Sequence, residues 1–339
     1  MPRLELHTFT KADADGAAEL LASRYARARR ALTFLGPARE HPDAWTDDVL
    51  AAAEGAEGVS VTQEGRMVGF MLGRKETPAQ NSLPNRYGAP RAGAIGMDSH
   101  AVADDCDTLA VYMEMYASLG AEWVRHGFFT HTASVLATDR AAHDAFVTMG
   151  FGRRVVVGVR PVDPVPPAPE DADVFIRPAT GDDAEAVHLL ELELDYWHSH
   201  PPMFMPVDPE TNEPAWQFMQ GIMSNPANII WLGLQEDETV GMISLLPDGF
   251  IQGTLKTEGL VYLYQGIVNF DARGGRIGEA LLSKALAWCK ENGYTHCGLH
   301  YFSGNPVGGP FWRKHGFEAA QYGMQRIVDD RIAWARDWR

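Results

Sequence analysis

Gly266-Ile-Val-Asn-Phe-Asp-Ala-Arg-Gly-Gly-Arg-Ile-Gly-Glu-Ala-Leu-Leu282 runs from apolar residues through a glycine-rich turn into an amphipathic pattern. It reads as strand, loop and helix. Ile277, Leu281, Ala285 and Trp288 recur at helical spacing with Leu282 and Leu286 beside them, while Glu279, Lys284 and Lys290 fall on the other side. The helix is therefore expected to begin near Arg276. Gly274 and Gly275 lack Cβ atoms and can take positive φ, so backbone N–H groups of the loop can converge on one point. These donors stand at a helix N-terminus, where four N–H groups lack intrahelical partners and the helix dipole favours negative charge. Such a loop can hold a pyrophosphate, with Arg273 and Arg276 bracketing the glycines to neutralise it. A turn that merely joins strand to helix needs the same glycines, so the loop alone leaves both readings open.

Two other phosphate loops fail against this stretch. No Lys-Ser/Thr pair follows the glycines, as a Walker loop requires, and Gly274, Gly275 and Gly278 do not meet Gly-x-Gly-x-x-Gly. The stretch resembles the acetyl-CoA pyrophosphate loop of the GCN5-related N-acetyltransferase (GNAT) family, Arg/Gln-x-x-Gly-x-Gly/Ala after a strand ending in Val. Val268, Arg273, Ile277 and Gly278 fall in place; Arg276 stands where the family usually has Gly. Downstream, Asn305-Pro-Val-Gly-Gly-Pro-Phe-Trp-Arg-Lys-His-Gly-Phe317 is similar to the family's Asn-x-x-Ala-x-x-Phe-Tyr-x-Lys-x-Gly-Phe segment, with Gly308 for Ala and Trp312 for Tyr. Two motifs in the family's order carry the resemblance further than either alone. It implies acetyl-CoA as acyl donor, held by Ile267, Val268, Arg273, Gly274, Gly275, Arg276, Ile277, Gly278, Asn305, Phe311 and Trp312.

The chain has 339 residues, enough for two domains, and its 45% hydrophobic and 22% charged residues are ordinary globular values. No apolar run approaches the length of a spanning helix, and the N-terminus has no apolar signal region. Three cysteines without metal-ligand spacing favour a reducing compartment, so a cytoplasmic protein is expected. A net charge of −16 argues against nucleic acid, which requires a basic footprint. Residues 170–270 hold 17 acidic residues against Arg177 and Lys256. That is either a solvated surface or a field that draws in a cationic amine.

Residues 161–169 contain five prolines and are followed by Glu170-Asp-Ala-Asp173, which reads as a linker. The halves it separates look alike. Thr10 to Leu21 parallels Thr180 to Leu190, Gln63 to Met71 parallels Glu236 to Ile243, and Asp139 to Phe151 parallels Asn305 to Phe317, at offsets of 170, 172 and 166 residues. The expected fold is α/β, two tandem GNAT-like domains, each a mixed and mostly antiparallel sheet with helices on both faces. The expected division is 1–160 for a degenerate domain without a CoA site, 161–173 for the linker and 174–339 for the acetyl-CoA domain. Opposite the glycine loop the first half offers Ser99 to Thr108, with no glycine and with Asp104, Asp105 and Asp107, which would repel a pyrophosphate.

The resemblance implies transfer of an acetyl group to a primary amine of a small molecule by direct attack, through a tetrahedral intermediate, with a strand N–H near Gly266-Ile267-Val268 meeting the thioester oxygen. An alkylammonium has a pKa near 10, so the site must deprotonate it and then protonate the leaving thiolate. Tyr262 stands where some members carry a Glu base, and Trp312 stands where the acid Tyr is usual, yet an indole N–H is no practical acid. The catalytic candidates are Tyr264, Glu258, His300 and Tyr301. Family acceptor pockets are built by the first two helices and their connection, so Asp195, Tyr196, Trp197 and His198 are the substrate-binding candidates. Carboxylate pairing and cation–π contact there would suit a cationic amine. His198 and His200 lack further ligands, so no metal is expected. The expected partners are a small-molecule amine and, at most, a second copy of the chain in a homodimer, with no nucleic acid and no membrane. The alternative is a module that binds acyl-CoA with little or no turnover, because Trp312, Tyr262 and Arg276 all depart from the family pattern.

Overall fold

The computed structural model describes residues 3–335. In the first half the chain forms β1 (Leu4–Thr8), α1 (Ala14–Arg29), α2 (Thr46–Ala53), β2 (Glu57–Gln63), β3 (Arg66–Glu76), α3 (Leu83–Tyr87), β4 (Ala92–Ile95) and β5 (His100–Val102). There follow α4 (Thr108–Arg125), β6 (Thr130–Leu136), α5 (Arg140–Thr148) and β7 (Gly152–Pro161). The second half repeats the plan with β8 (Phe175–Pro178), α6 (Ala184–Ser199), α7 (Asn212–Ser224), β9 (Ile229–Gln235), β10 (Glu238–Leu246) and β11 (Leu260–Val268). It closes with α8 (Ile277–Glu291), β12 (His296–Phe302), α9 (Gly308–Lys314) and β13 (Glu318–Ile327).

Local chemistry repeats with the elements. Thr10 and Thr180 open their helices through capping boxes of the same geometry, each backbone N–H donating to the Asp three residues on at 2.7 Å. Glu64 and Gly65 turn β2 into β3 with positive φ, as Glu236 and Asp237 turn β9 into β10. Asp139 caps α5 by accepting from the backbone N–H three residues on, and Asn305 accepts at the same spacing from Gly308, the first residue of α9. Helix α7 starts at Asn212. Asp208 caps the short turn Pro209–Thr211, and Pro214 falls in the first helical turn, where a missing N–H costs no bond.

The strands form one sheet in the order β1-β2-β3-β4-β6-β13-β7-β12-β11-β10-β9-β8, with β5 beside β3. Pairing is antiparallel except for β4 with β6 and β11 with β12. The centre of this sheet exchanges strands. The last strand of the second half, β13, lies between β6 and β7, and the last strand of the first half, β7, lies between β13 and β12. The two halves therefore share a continuous backbone ladder. Helices cover both faces of the second half: α6 and α7 bury Val187, Leu190, Met219 and Ile222 against one, while α8 and α9 bury Ile277, Leu281, Leu282, Leu286 and Trp312 against the other. The proline-rich segment runs along α8, where Ser283 donates to the Pro166 carbonyl at 2.7 Å and Lys290 meets Asp163. Among the described residues no helix is long and apolar enough to cross a membrane.

Candidate active site

Strands β11 and β12 pair only from Leu260 with His296 to Leu263 with Leu299. Beyond that, β11 stays with β10 as far as Val268 and β12 stays with β7 as far as Phe302, so the two strands part. A bulge sits at the fork. Ser244 pairs with Gln265 while Leu245 pairs with Leu263, which leaves Tyr264 as the extra residue. The bulge breaks the alternation and sends both Tyr264 and Gln265 toward α6 and α7, where Tyr264 meets Phe218 and Gln265 donates to Glu191. Gly266 faces the other way, and a Cβ there would come within 2.9 Å of the Trp312 ring. The Ile267 carbonyl points toward β10, 2.9 Å from where a Cβ on Gly241 would stand, so strand alternation turns the N–H groups of Gly266 and Val268 into the gap. A cavity of about 920 Å³ occupies the fork and continues to both sides of it.

On the α8 side the cavity reaches the glycine loop. Gly274 has φ +91° with no atom within 4 Å of its Cβ position, and Arg276 takes the left-handed conformation at φ +56°. Arg273 donates through Nε to the Val268 carbonyl at 3.1 Å, with its guanidinium 4.4 Å from the Trp197 ring centre. Arg276 is engaged by Asp171 and Glu279, and Glu279 also holds Lys314. Phe311 backs Gly278, and Asn305 accepts from Val307 and Gly308 at 3.0 and 2.8 Å. An open glycine cradle before a 15-residue helix, flanked by arginines, fits the pyrophosphate that the sequence suggested. Val268, Arg273, Gly274, Arg276, Ile277, Gly278, Asn305, Phe311 and Trp312 all line this cavity with Ile267, whereas Gly275 does not.

The α6 side is aromatic. Tyr262 and His300 share a 2.9 Å bond between hydroxyl and Nδ1, and Tyr264 bonds to Tyr87 of α3, a residue of the first half. Burial pushes the Tyr262 and Tyr264 phenols up and holds His300 and His198 down at about 4, so both imidazoles are neutral at pH 7. Asp195 is buried against Arg86, also of α3, whose guanidinium donates to Thr211 at 2.6 Å and Asn212 at 3.0 Å as well. Burial raises the Asp195 carboxyl against the pull of Arg86. One turn earlier, burial lifts Glu191 to about 7, with Gln265 as its hydrogen-bond donor.

Of the sequence candidates, Asp195, Trp197, His198, Tyr264, His300 and Tyr301 meet at the cavity. Tyr301 belongs to the Trp312 side of the sheet, since alternation along β12 sets it opposite His300. Glu258 does not join them: it is exposed in the turn before β11, five residues short of where the strands part. Tyr196 is 64% exposed on the outer face of α6 and is not a lining residue either. Arg86, Tyr87, Glu191 and Gln265 escaped the sequence reading. Gln265 lies just before the quoted stretch, and its polarity amid apolar neighbours was the available signal.

The matching place in the first half is plugged. Arg24 of α1 is buried and donates to the carbonyls of Met97 and His100 at 2.6 and 2.7 Å, filling the break between β4 and β5. It also holds Asp98, which accepts from Thr254 of the second half. Asp107 caps α4 where the glycine loop would stand, Asp104 and Asp105 are taken by Arg27 and Arg66, and the cavity there holds only about 220 Å³. Among the described residues no group of three His, Cys, Asp or Glu is placed to hold a metal.

The sequence profile of the acetyltransferase (GNAT) family matches residues 189–317, from α6 through the segment that ends at Phe317. No curated protein matches the chain significantly in sequence. Among solved structures, a GCN5-related N-acetyltransferase from Sphaerobacter thermophilus is similar at TM-score 0.58 and 18% identity, over 96% of this chain and 95% of that one. The glucosamine N-acetyltransferase region of a fungal multi-domain GH3 β-N-acetylglucosaminidase is similar at TM-score 0.54 and 12% identity, over 96% of this chain and 38% of that one. At these identities the likeness is one of fold, and it extends over both halves. Residues 189–317 therefore carry a domain of the GNAT acetyltransferase family.

Proposed function

We propose that the protein is an acetyl-CoA-dependent N-acetyltransferase of a small primary amine, with one donor site, in residues 174–339. Residues 1–160 serve as a degenerate partner domain and 161–173 as the linker. The observation that carries this reading is a single cavity that runs from the Gly274 loop, through the strand fork, to Tyr264 and His300. Donor and acceptor can therefore meet at Gly266.

The loop N–H groups with Arg273 would hold the pyrophosphate, and the N–H of Gly266 or Val268 would receive the thioester oxygen as negative charge develops on it. His300, bonded to Tyr262 on the acceptor side, would take the amine's proton only as the amine attacks, since burial holds its imidazole at about 4, far below a free alkylammonium. Tyr301, on the Trp312 side, is suited to return a proton to the thiolate. Much of the acceleration would come from orientation, which alone supplies about 7 to 11 kcal/mol. Incubation with acetyl-CoA and a panel of amines, reading free thiol, tests the proposal. Release of CoA with at least one amine supports it.

The second reading, a binding module without turnover, draws on Trp312, which packs on Gly266 where an acid is usual. Tight acetyl-CoA binding without thiol release from any amine at pH 7 to 9, together with turnover by Trp312→Tyr, would favour that module.

A further inference from the structure

Charge on the acceptor side is already spent within the protein. Of the residues lining the cavity, Asp195 and Glu279 carry carboxylates; the first is paired with Arg86, and the second lies on the loop side with Arg276 and Lys314. What remains is a ring of aromatic faces. Phe250 packs 5.5 Å from Tyr262 and 5.7 Å from Tyr264, Phe218 lies 5.7 Å from Tyr264, and Tyr87 enters from the first half. Two buried polar atoms of lining residues stand without a partner: Nδ1 of His198, and the side-chain oxygen of Gln265, in a residue 6% exposed, whose amide nitrogen donates to Glu191. Gln265 immediately precedes Gly266, with its side chain on the α6 side of the fork.

Taking the N-acetyltransferase reading as given, we propose that the acceptor is a monoamine with an aromatic or similarly apolar body, its nitrogen received by Gln265 and its body by the aromatic ring. A polyamine or amino sugar would have to bury several further charges or hydroxyls against these rings, where His198 Nδ1 is the one other unpartnered buried atom of the lining left to answer them. A monoamine leaves no such group unmatched, and entry into neutral, apolar surroundings favours its uncharged form, which is the nucleophile. This sets aside the cationic recognition expected from the acidic composition, because the acids facing the site are neutralised in place.

The test is calorimetric titration of the full chain, saturated with CoA, with 2-phenylethylamine, spermidine and glucosamine in turn, followed by thiol release with acetyl-CoA. Phenylethylamine should bind at least tenfold more tightly than the other two. Phe250→Ala, in an exposed loop, and Tyr87→Phe, which keeps the packing, should each weaken it about three- to tenfold while acetyl-CoA affinity stays unchanged. Tighter binding of spermidine or glucosamine, or indifference to both substitutions, overturns the inference. Amine selectivity without thiol release would uphold it while defeating the acetyltransferase reading, so the two failures are distinguishable.

Discussion

Arg276 occupies a loop position where the family pattern usually has glycine, and the backbone there is left-handed at φ +56°. A residue with a Cβ pays roughly 1 kcal/mol or more for that conformation. Its ion pairs with Asp171 and Glu279 are half exposed and offset little of this. Arg276→Gly should therefore be more stable than Arg276→Ala by about 1 kcal/mol in urea unfolding, since both lose the ion pairs and only one keeps the strain. Equal midpoints would show that the loop relaxes. Glu191 offers a second test at this scale. Its folded pKa is raised to about 7, so the stability linked to its neutral form is fully present below its unfolded value, near 4.5, and is lost as pH rises through about 7. Glu191→Gln should thus gain stability relative to the parent at pH 8 compared with pH 5, measured by chemical unfolding at both. No change of the difference with pH would contradict the assigned burial.

At the scale of elements, α8 with its loop was readable because everything that makes it is local: two glycines, a helical period and the strand before it. The capping boxes at Thr10 and Thr180 were readable for the same reason. The fork was half readable. A strand ending at Val268 was expected, but the bulge that turns Gln265 toward α6 arises from pairing with β10, which no spacing within β11 reveals. Helix α3 was invisible: it has five residues, and its weight lies in Arg86 reaching Asp195, 109 positions along the chain. Removing that guanidinium would leave Asp195 buried without its partner. Arg86→Ala should cost about 3 to 5 kcal/mol of stability, and the Arg86→Ala/Asp195→Ala double variant less than the sum of the singles. Additive losses in denaturant unfolding would show that the pair is not coupled.

Over the whole molecule, the repeat was legible as two similar halves, while the exchange of β7 and β13 was not. A strand's apolar pattern says which faces are buried but not which strand lies alongside. The exchange makes the halves mutually dependent, because β6 and β12 each find their neighbour in the other half. Residues 1–165 and 166–339 expressed apart should therefore lack cooperative unfolding and recover it on mixing. A sharp transition in either half alone would count against this. The same asymmetry of design places Arg24 in the first half's break and an open glycine loop in the second. Calorimetric titration of the full chain with acetyl-CoA tests that asymmetry most directly. One site per chain is predicted, abolished by Gly274→Val, whose φ of +91° a branched side chain resists, and untouched by Asp105→Ala. Two sites per chain, or one that survives Gly274→Val, would contradict it.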